Sequence, residues 1–508
     1  MHCVREGDGS AGSAIWQRFL VWLFVLMVAL AAATVSAQPF TASAHGEGKQ
    51  GGPQTSYRVI NLGPGAIATY PHINAAGQVA FSMIDNDRTT GYFYDGVAVR
   101  HIGSLGGGIV YVNGLNEAGQ VAGTSVNEAG VENAFVWSAG GGMLDLRAAP
   151  GRGRSYAWAI NNRGVVTGSF NDAARPFRWS AAGGVEDLGV LPGRPDPTSG
   201  RVLNDAGLIA GVTTIDDEFT RVFAWTQAGG LADIDTLGSV ESQAVAVGAG
   251  GEVAGNRLAS WDDGGERPFM WTQATGMVDL GIGPGTTAWV NAMTPGLHIA
   301  GGIGYADGRQ RAMSWTRRTG MRGLGTLGGR TSVARAVNAS GQIVGFAEDR
   351  HGAMRAFVWS AGRGMQDLNR LLRQAPPGLV LEHAMAINGS GAIVASSNAG
   401  LVLLRPDSGR QYGHTLGPVQ APDSIKVGAH LQATVAFVDA DRTGMRSVDW
   451  SWGDGSGGPA RTIGESAGAG SASASHGYAE PGIFTVTVTV VDRDGRSTAV
   501  SHDVVVTD

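Results

Sequence analysis

Apolar and polar positions along this chain alternate in short bursts, and the bursts return in the same order from Tyr57 to Arg405. "SYAWAIN" (Ser155–Asn161) alternates and ends on Asn; "GVVTGS" (Gly164–Ser169), "PFRW" (Pro176–Trp179) and "GVEDLG" (Gly184–Gly189) follow. Short alternating runs of β-branched and aromatic residues, broken by Gly and Asn, predict strands, here four to a unit. The unit recurs about every 44 residues. Its first marker is Asn74, Asn116, Asn161, Asn204, Asn338 and Asn388, with Gly248 and Thr294 at the two remaining positions. Three residues later stand Gly77, Gly119, Gly164, Gly207, Gly251, Gly341 and Gly391, with Leu297 as the exception. The second marker is Trp137, Trp179, Trp225, Trp271, Trp315 and Trp359, with Tyr94 and Leu404 in the outer copies.

Two independent markers keeping one period describe a repeated fold. Asn161 suits the first position of a type I turn, where its side chain bonds the backbone two residues on, and Gly164 suits the fourth, where φ is positive. The step from each Trp to the "D-L" position is eight residues, short enough for a hairpin between the last two strands. A four-stranded sheet cannot bury both faces alone, and packing such sheets radially covers them. The reading is an all-β chain with an eight-bladed β-propeller over residues 57–405, seven blades being the runner-up. The last copy lacks a fourth strand after Leu404, while "YRVINLG" (Tyr57–Gly63) is an orphan strand before the first turn. The expectation is a clasp, in which the orphan completes the last blade and removes an open edge.

The segment "GLGTLGGRTSVARAVNASGQIVGFAEDRHGAMRAFVWSAGRGMQDL" (Gly323–Leu368) resembles the HAF-type extracellular repeat of secreted bacterial proteins. It departs from that repeat where His precedes Ala-Phe: Asn133, Arg175, Arg221, Arg267, Arg311 and Arg355 stand there. The resemblance implies fold and location and brings no activity with it. After a polar stretch read as a linker (406–423), "SVDWSWGDGSGG" (Ser447–Gly458) and "SHGYAEPGIFTVTVTVVDRDG" (Ser475–Gly495) resemble a PKD domain. Trp452, Asp454, His476, Tyr478 and Pro481-Gly482 carry that likeness, with Trp452 where Phe is usual. It implies an immunoglobulin-like β-sandwich over 424–508, of the kind that serves as a spacer or surface-contact module.

The apolar run Phe19–Ala33, followed by Val35 and Ala37, reads as a signal peptide cleaved after Ala37, with 38–56 disordered. Export places the product in a secreted or periplasmic setting, with no membrane span after cleavage. Cys3 is the only cysteine and lies within this leader, which excludes disulfides and thiol chemistry from the mature chain. The net charge of -6 shows no basic block, so nucleic acid is not an expected partner.

Three patterns invite a chemical reading. "GESAG" (Gly464–Gly468) spells a nucleophile elbow around Ser466, but the elbow needs a strand before it and a helix after it, and "AGSASAS" reads as a low-complexity loop. Asp145, Asp187, Asp233, Asp279 and Asp367 recur at the "D-L" position, with His101 and Gly323 substituted. They could ring a ligand, but capping of backbone amides or pairing with the Arg row is favoured. "DADRTG" (Asp439–Gly444) and "DRDG" (Asp492–Gly495) alternate carboxylates without the distal Glu of a calcium loop. No catalytic, cofactor-binding or metal residue is assigned, and no cofactor. The expected protein is a monomeric, non-enzymatic scaffold contacting extracellular polysaccharide or a surface protein. The alternative is a polysaccharide-degrading enzyme with its site at the propeller mouth, recognisable by non-repeated carboxylates, His or Tyr on one face. The loops Gly189–Val202 and Asn369–His383 are where a binding site is expected.

Overall fold

The computed structural model describes residues 55–507 apart from 86–87, 148–152, 171–174, 192–197, 216–218, 261–264, 374, 408–413, 440–444, 455, 460–461, 467–468 and 493–496. The leader and its cleavage site lie outside the described residues. The described chain is all-β, with one short 3-10 turn at Leu368–Leu371. Eight successive sheets of four strands, the first augmented to five, form a propeller-like array before the C-terminal sandwich.

In the third sheet the strands run in chain order: Ser155–Ile160, Val166–Phe170, Arg175–Ser180 and Gly184–Asp187. The first strands of neighbouring sheets meet one another all along the array, so they are the inner strands. In the first sheet the inner strand is split into Ala66–Ile67 and His72–Ile73, with Pro71, which has no N–H to donate, just before the second piece. The clasp is present. Ser56–Gly63 pairs antiparallel with Gly400–Asp407, from Ser56 opposite Asp407 to Gly63 opposite Leu401, as the fourth strand of the last sheet.

Each Asn turn closes as the type I geometry requires. Gly164 N donates to Asn161 O at 3.0 Å, and Asn161 Oδ1 accepts from Arg163 N at 3.0 Å and Val165 N at 2.9 Å. The same Asn does something that turn chemistry does not foresee. Its Nδ2 donates to the main-chain carbonyl of the corresponding residue in the next sheet: Asn74 to Asn116, Asn116 to Asn161, Asn161 to Asn204, Asn204 to Gly248 and Asn338 to Asn388. Asn388 then donates to Asn74 O at 2.9 Å, returning the row to its start. Gly248 and Thr294 interrupt it. At Gly248 the Asn side chain's place is taken by Glu252, whose Oε2 would lie 2.5 Å from a Cβ there. That oxygen is buried with no partner.

Five of the eight sheets bury one face through a Gly–aromatic pair. Phe135, Phe177, Phe223, Phe269 and Phe357, all fully buried, lie opposite Gly123, Gly168, Gly211, Gly255 and Gly345 of the second strand. A Cβ at Gly168 would sit 1.8 Å from the Tyr156 carbonyl oxygen and 2.8 Å from the Phe177 ring. In these five sheets the Gly seven residues after the turn-opening position is therefore a steric requirement.

The C-terminal sandwich packs two sheets around Leu431, Val435, Phe437, Trp450, Tyr478, Val486, Val488, Val490 and Val504. The alternation in "FTVTVTVV" buries Val486, Val488 and Val490, while Thr485 is exposed. The Gly/Ser/Ala run read as a loop is strand instead: Thr462–Ser466 pairs Ala469–Gly477, which pairs His430–Val438. Its Ala472 and Ala474 face the core, so small residues here alternate as larger ones do elsewhere. Part of the stretch read as a linker also belongs to this sheet, since His414–Leu416 pairs Phe437–Asp439.

Candidate functional site

Chain direction determines which end of each sheet carries which residues. An inner strand runs toward its Asn turn, so positions before the Asn lie progressively nearer the opposite end, where the connections between sheets also lie. Three positions before each turn, seven inner strands carry a β-bulge, at Asn113, Trp158, Arg201, Val245, Asn291, Arg335 and Met385. A bulge leaves one residue without a ladder partner and re-aims its side chain.

Two of these side chains solve a structural problem. An inner strand is a sheet edge with unpaired carbonyls. Asn113 Nδ2 donates to Ala157 O and Asn291 Nδ2 to Ala334 O, each at 2.8 Å. Other bulges carry different chemistry. Arg201 lays its guanidinium 4.2 Å from the centroid of the Trp158 ring, and Trp158 stacks on Tyr156. Arg335 lies 5.6 Å from the Tyr70 ring and 5.4 Å from Phe346, whose ring meets His383 edge-on at 4.9 Å. Trp289, two positions before a bulge, lies on Gly302, where a Cβ would fall 2.2 Å from the ring. Tyr70 is 49% and Tyr111 36% exposed, so this end of the inner face presents aromatic surface to solvent.

Electrostatics follow from the crowding. Burial lowers the Arg201 guanidinium to about 10, still fully charged at neutral pH. Burial pushes the His383 imidazole down, and the Arg335 charge adds to this against the opposing pull of Glu382. Burial, followed by the 2.6 Å bond to Glu132, pushes the Tyr156 phenol up.

A pair of carboxylates that the other described sheets do not repeat also stands at this end. Glu241 and Glu266 are both opposite Leu258 across the fifth sheet, which puts them on one face two strands apart, roughly 9–10 Å between backbones. Burial raises both carboxyls, and the charge of Glu241 raises Glu266 further.

The residues singled out in the sequence take structural roles. In each "D-L" Asp one oxygen caps the amide two residues on: Arg147 N, Gly189 N, Asp235 N, Gly281 N and Asn369 N, at 2.7 to 2.9 Å. The other oxygen meets a neighbouring side chain: Asn133 for Asp145, Arg175 for Asp187, Arg221 for Asp233, Arg257 for Asp279 and Arg370 for Asp367. They lie on outer strands and do not converge. Ser466 ends a strand and is not followed by a helix. In the sandwich Asp454, Ser456 and His476 imitate a triad, but carboxylate and hydroxyl both meet the same ring nitrogen, Nε2 (2.6 and 3.4 Å). A relay needs opposite nitrogens. Burial pushes Asp454 up, but hydrogen bonds from Ser456 and His476 outweigh it and hold the carboxyl at about 2. Residues 440–444 and 493–495 of the two acidic loops lie outside the described residues, and among the described residues no three His, Cys, Asp or Glu come together as a metal site.

Of the two connections expected to carry function, 192–197 lies outside the described residues. The other is tied shut by Asn369, which accepts from Leu381 N at 2.7 Å and donates to Leu381 O at 3.0 Å. It delivers the strand that carries His383.

Residues 417–507 match the PKD domain family. No curated protein matches the chain. Among solved structures, virginiamycin B lyase from Staphylococcus aureus is 12% identical over 58% of this chain and 94% of its own, with a TM-score of 0.33. TolB from Acinetobacter baumannii is 9% identical over 66% of this chain and 64% of its own, with a TM-score of 0.34. The Aleuria aurantia lectin, in complex with alpha-methyl-L-fucoside, is 12% identical over 53% of this chain and 76% of its own, with a TM-score of 0.23. No helix among the described residues is long and apolar enough to cross a membrane.

Proposed function

We propose that this chain is a secreted, non-enzymatic binding protein that holds an extracellular saccharide at the connection end of its inner strands. The eight sheets are the blades of one closed, HAF-type propeller over 57–405, the leader is cleaved after Ala37, and the sandwich over 424–508 acts as a spacer or contact module. The protein works as a monomer without a cofactor. One observation carries the reading: at the bulges where Asn113 and Asn291 tie one inner strand to the next, other repeats carry Trp158 and Arg201, clustered with Tyr156, and Arg335, clustered separately with Tyr70, Phe346 and His383. Aromatic faces beside hydrogen-bond donors suit the apolar face and hydroxyl rim of a sugar ring. The test is retention of the full chain on immobilised glycans and cell-wall polymers. Tyr70→Ala and Trp158→Ala should each weaken retention about tenfold, or about 1.4 kcal/mol. Retention on no saccharide would sink the reading.

A second reading has its own observation. As a pair Glu241 and Glu266 break the repeat, since Glu132 holds the Glu266 position of the second sheet without a partner like Glu241. Their spacing approaches that of an inverting glycosidase pair, roughly 6.5–9.5 Å. Polymer cleavage by the wild-type chain, lost in Glu266→Gln, would replace the binding role with a hydrolytic one.

A further inference from the structure

We propose that Tyr70, Arg335, Phe346 and His383 form the recognition point for a carboxylate-bearing saccharide, a uronate within a linear polymer. This deepens the saccharide reading and rests on it. The four residues come from three repeats: Tyr70 from the first, Arg335 and Phe346 from the seventh, His383 from the eighth. They meet only because the array returns on itself at the clasp.

Arg335 differs from the arginines that pair with the "D-L" aspartates. Arg175, Arg221 and Arg257 each pair with an Asp of an outer strand. Arg335 instead lies against two aromatic faces, and among the described residues no carboxylate comes within salt-bridge distance of it. A guanidinium packed against ring faces is attracted through its plane, which leaves the in-plane N–H donors available for a planar anion. A carboxylate would take two of those donors at once, whereas a neutral hydroxyl takes one and leaves the charge uncompensated. His383 is kept neutral by burial at ordinary pH, so Arg335 supplies the positive charge of the cluster. Tyr70, half exposed beside the guanidinium, offers a face for the sugar ring bearing that carboxylate. Neither Asn113 nor Asn291, the structural residues at this bulge position, could provide such recognition, because both commit their amide to the neighbouring strand.

The experiment titrates the full chain with oligogalacturonates of defined length, with the same oligomers after reduction of their carboxyls to alcohols, and with polyglutamate. The wild type should bind the oligogalacturonate at least tenfold more tightly than the reduced oligomer. Arg335→Gln should abolish that difference without weakening binding of the reduced oligomer. Arg335→Lys should restore only a fraction of it, since a point charge lacks the planar fork. Tyr70→Ala, at an exposed position, should weaken both oligomers. Melting curves check that each variant is folded. Equal binding of both oligomers by the wild type, or a preference that survives Arg335→Gln, overturns the carboxylate and leaves the saccharide reading standing. Polyglutamate binding as tightly as the oligogalacturonate overturns the sugar in favour of charge alone. Binding of neither oligomer overturns this proposal, whereas the saccharide reading falls only if the immobilised glycans and cell-wall polymers also fail to retain the chain.

Discussion

Leu297 holds φ at +64°, where its seven sister positions are Gly with φ between 72° and 94°. An L-residue in that region costs roughly 1–2 kcal/mol, and Gly costs little. Its side chain packs against the buried cluster that includes Val290 and Ile299, which offsets some of that cost. Leu297→Ala loses the packing and keeps the strain; Leu297→Gly loses the packing and relieves the strain. Gly should therefore exceed Ala at this site by about 1 kcal/mol in urea unfolding, reversing the usual order. Ala at or above Gly would mean that the turn relaxes to a negative φ. This position was legible in the sequence because turn geometry is local. The inner-face residues were not. Trp158, Arg201 and Arg335 are singled out by a bulge that no composition announces, and they differ between repeats whose remaining positions agree. Their one sequence signal was variation at the third and fifth residues before the turn, in bulged strands whose second and fourth residues before it are Ala, Gly or Val.

Between neighbouring elements the Asn row is the organising device, and its partners lie 42 to 50 residues apart along the chain in the five links between consecutive sheets. Periodicity revealed the strands and their count per sheet, but could not reveal a bond that exists only once two sheets are packed. The interruption at Gly248 gives this a measurable form. There a buried carboxylate oxygen of Glu252 has no partner, in the place that Asn holds elsewhere with a Gln four residues on, as in Asn116–Gln120. Gly248→Asn combined with Glu252→Gln should install the missing link toward Thr294 and remove the orphaned oxygen. One hydrogen bond and one relieved polar group together predict a gain on the order of 1–3 kcal/mol. Neither single change should give it, because Glu252→Gln alone supplies no donor toward Thr294 and Gly248→Asn alone leaves the buried carboxylate in place. A double variant no more stable than wild type would show that the row does not bear on stability at this joint.

Across the whole molecule, the acid response should belong first to the histidines. Burial lowers His72 to about 4 and pushes His298 and His383 down as well. Unfolded histidine titrates near ~6.5, so below that pH the unfolded chain binds protons that the folded chain refuses. The histidine contribution is complete above about 6.5 and is lost as pH falls toward 4. Glu241 and Glu266, with raised carboxyls, work in the opposite direction just above their unfolded values. The depressed Asp95, Asp349 and Asp454 act only at lower pH. Comparison with His72→Gln isolates one group: between pH 7 and 4.5 the wild type should lose on the order of 2 kcal/mol more than the variant. Parallel acid limbs would mean that His72 titrates as an open side chain does. The clasp carries a different consequence, a mechanical one. Its strands are antiparallel, and Ser56 faces Asp407 at the end where the chain enters and leaves the array. A pull on the two flanking segments therefore meets a single residue pair, not the whole ladder at once. The bonds break in sequence from that end toward Gly63 and Leu401, like a zip, so the clasp should open under modest tension.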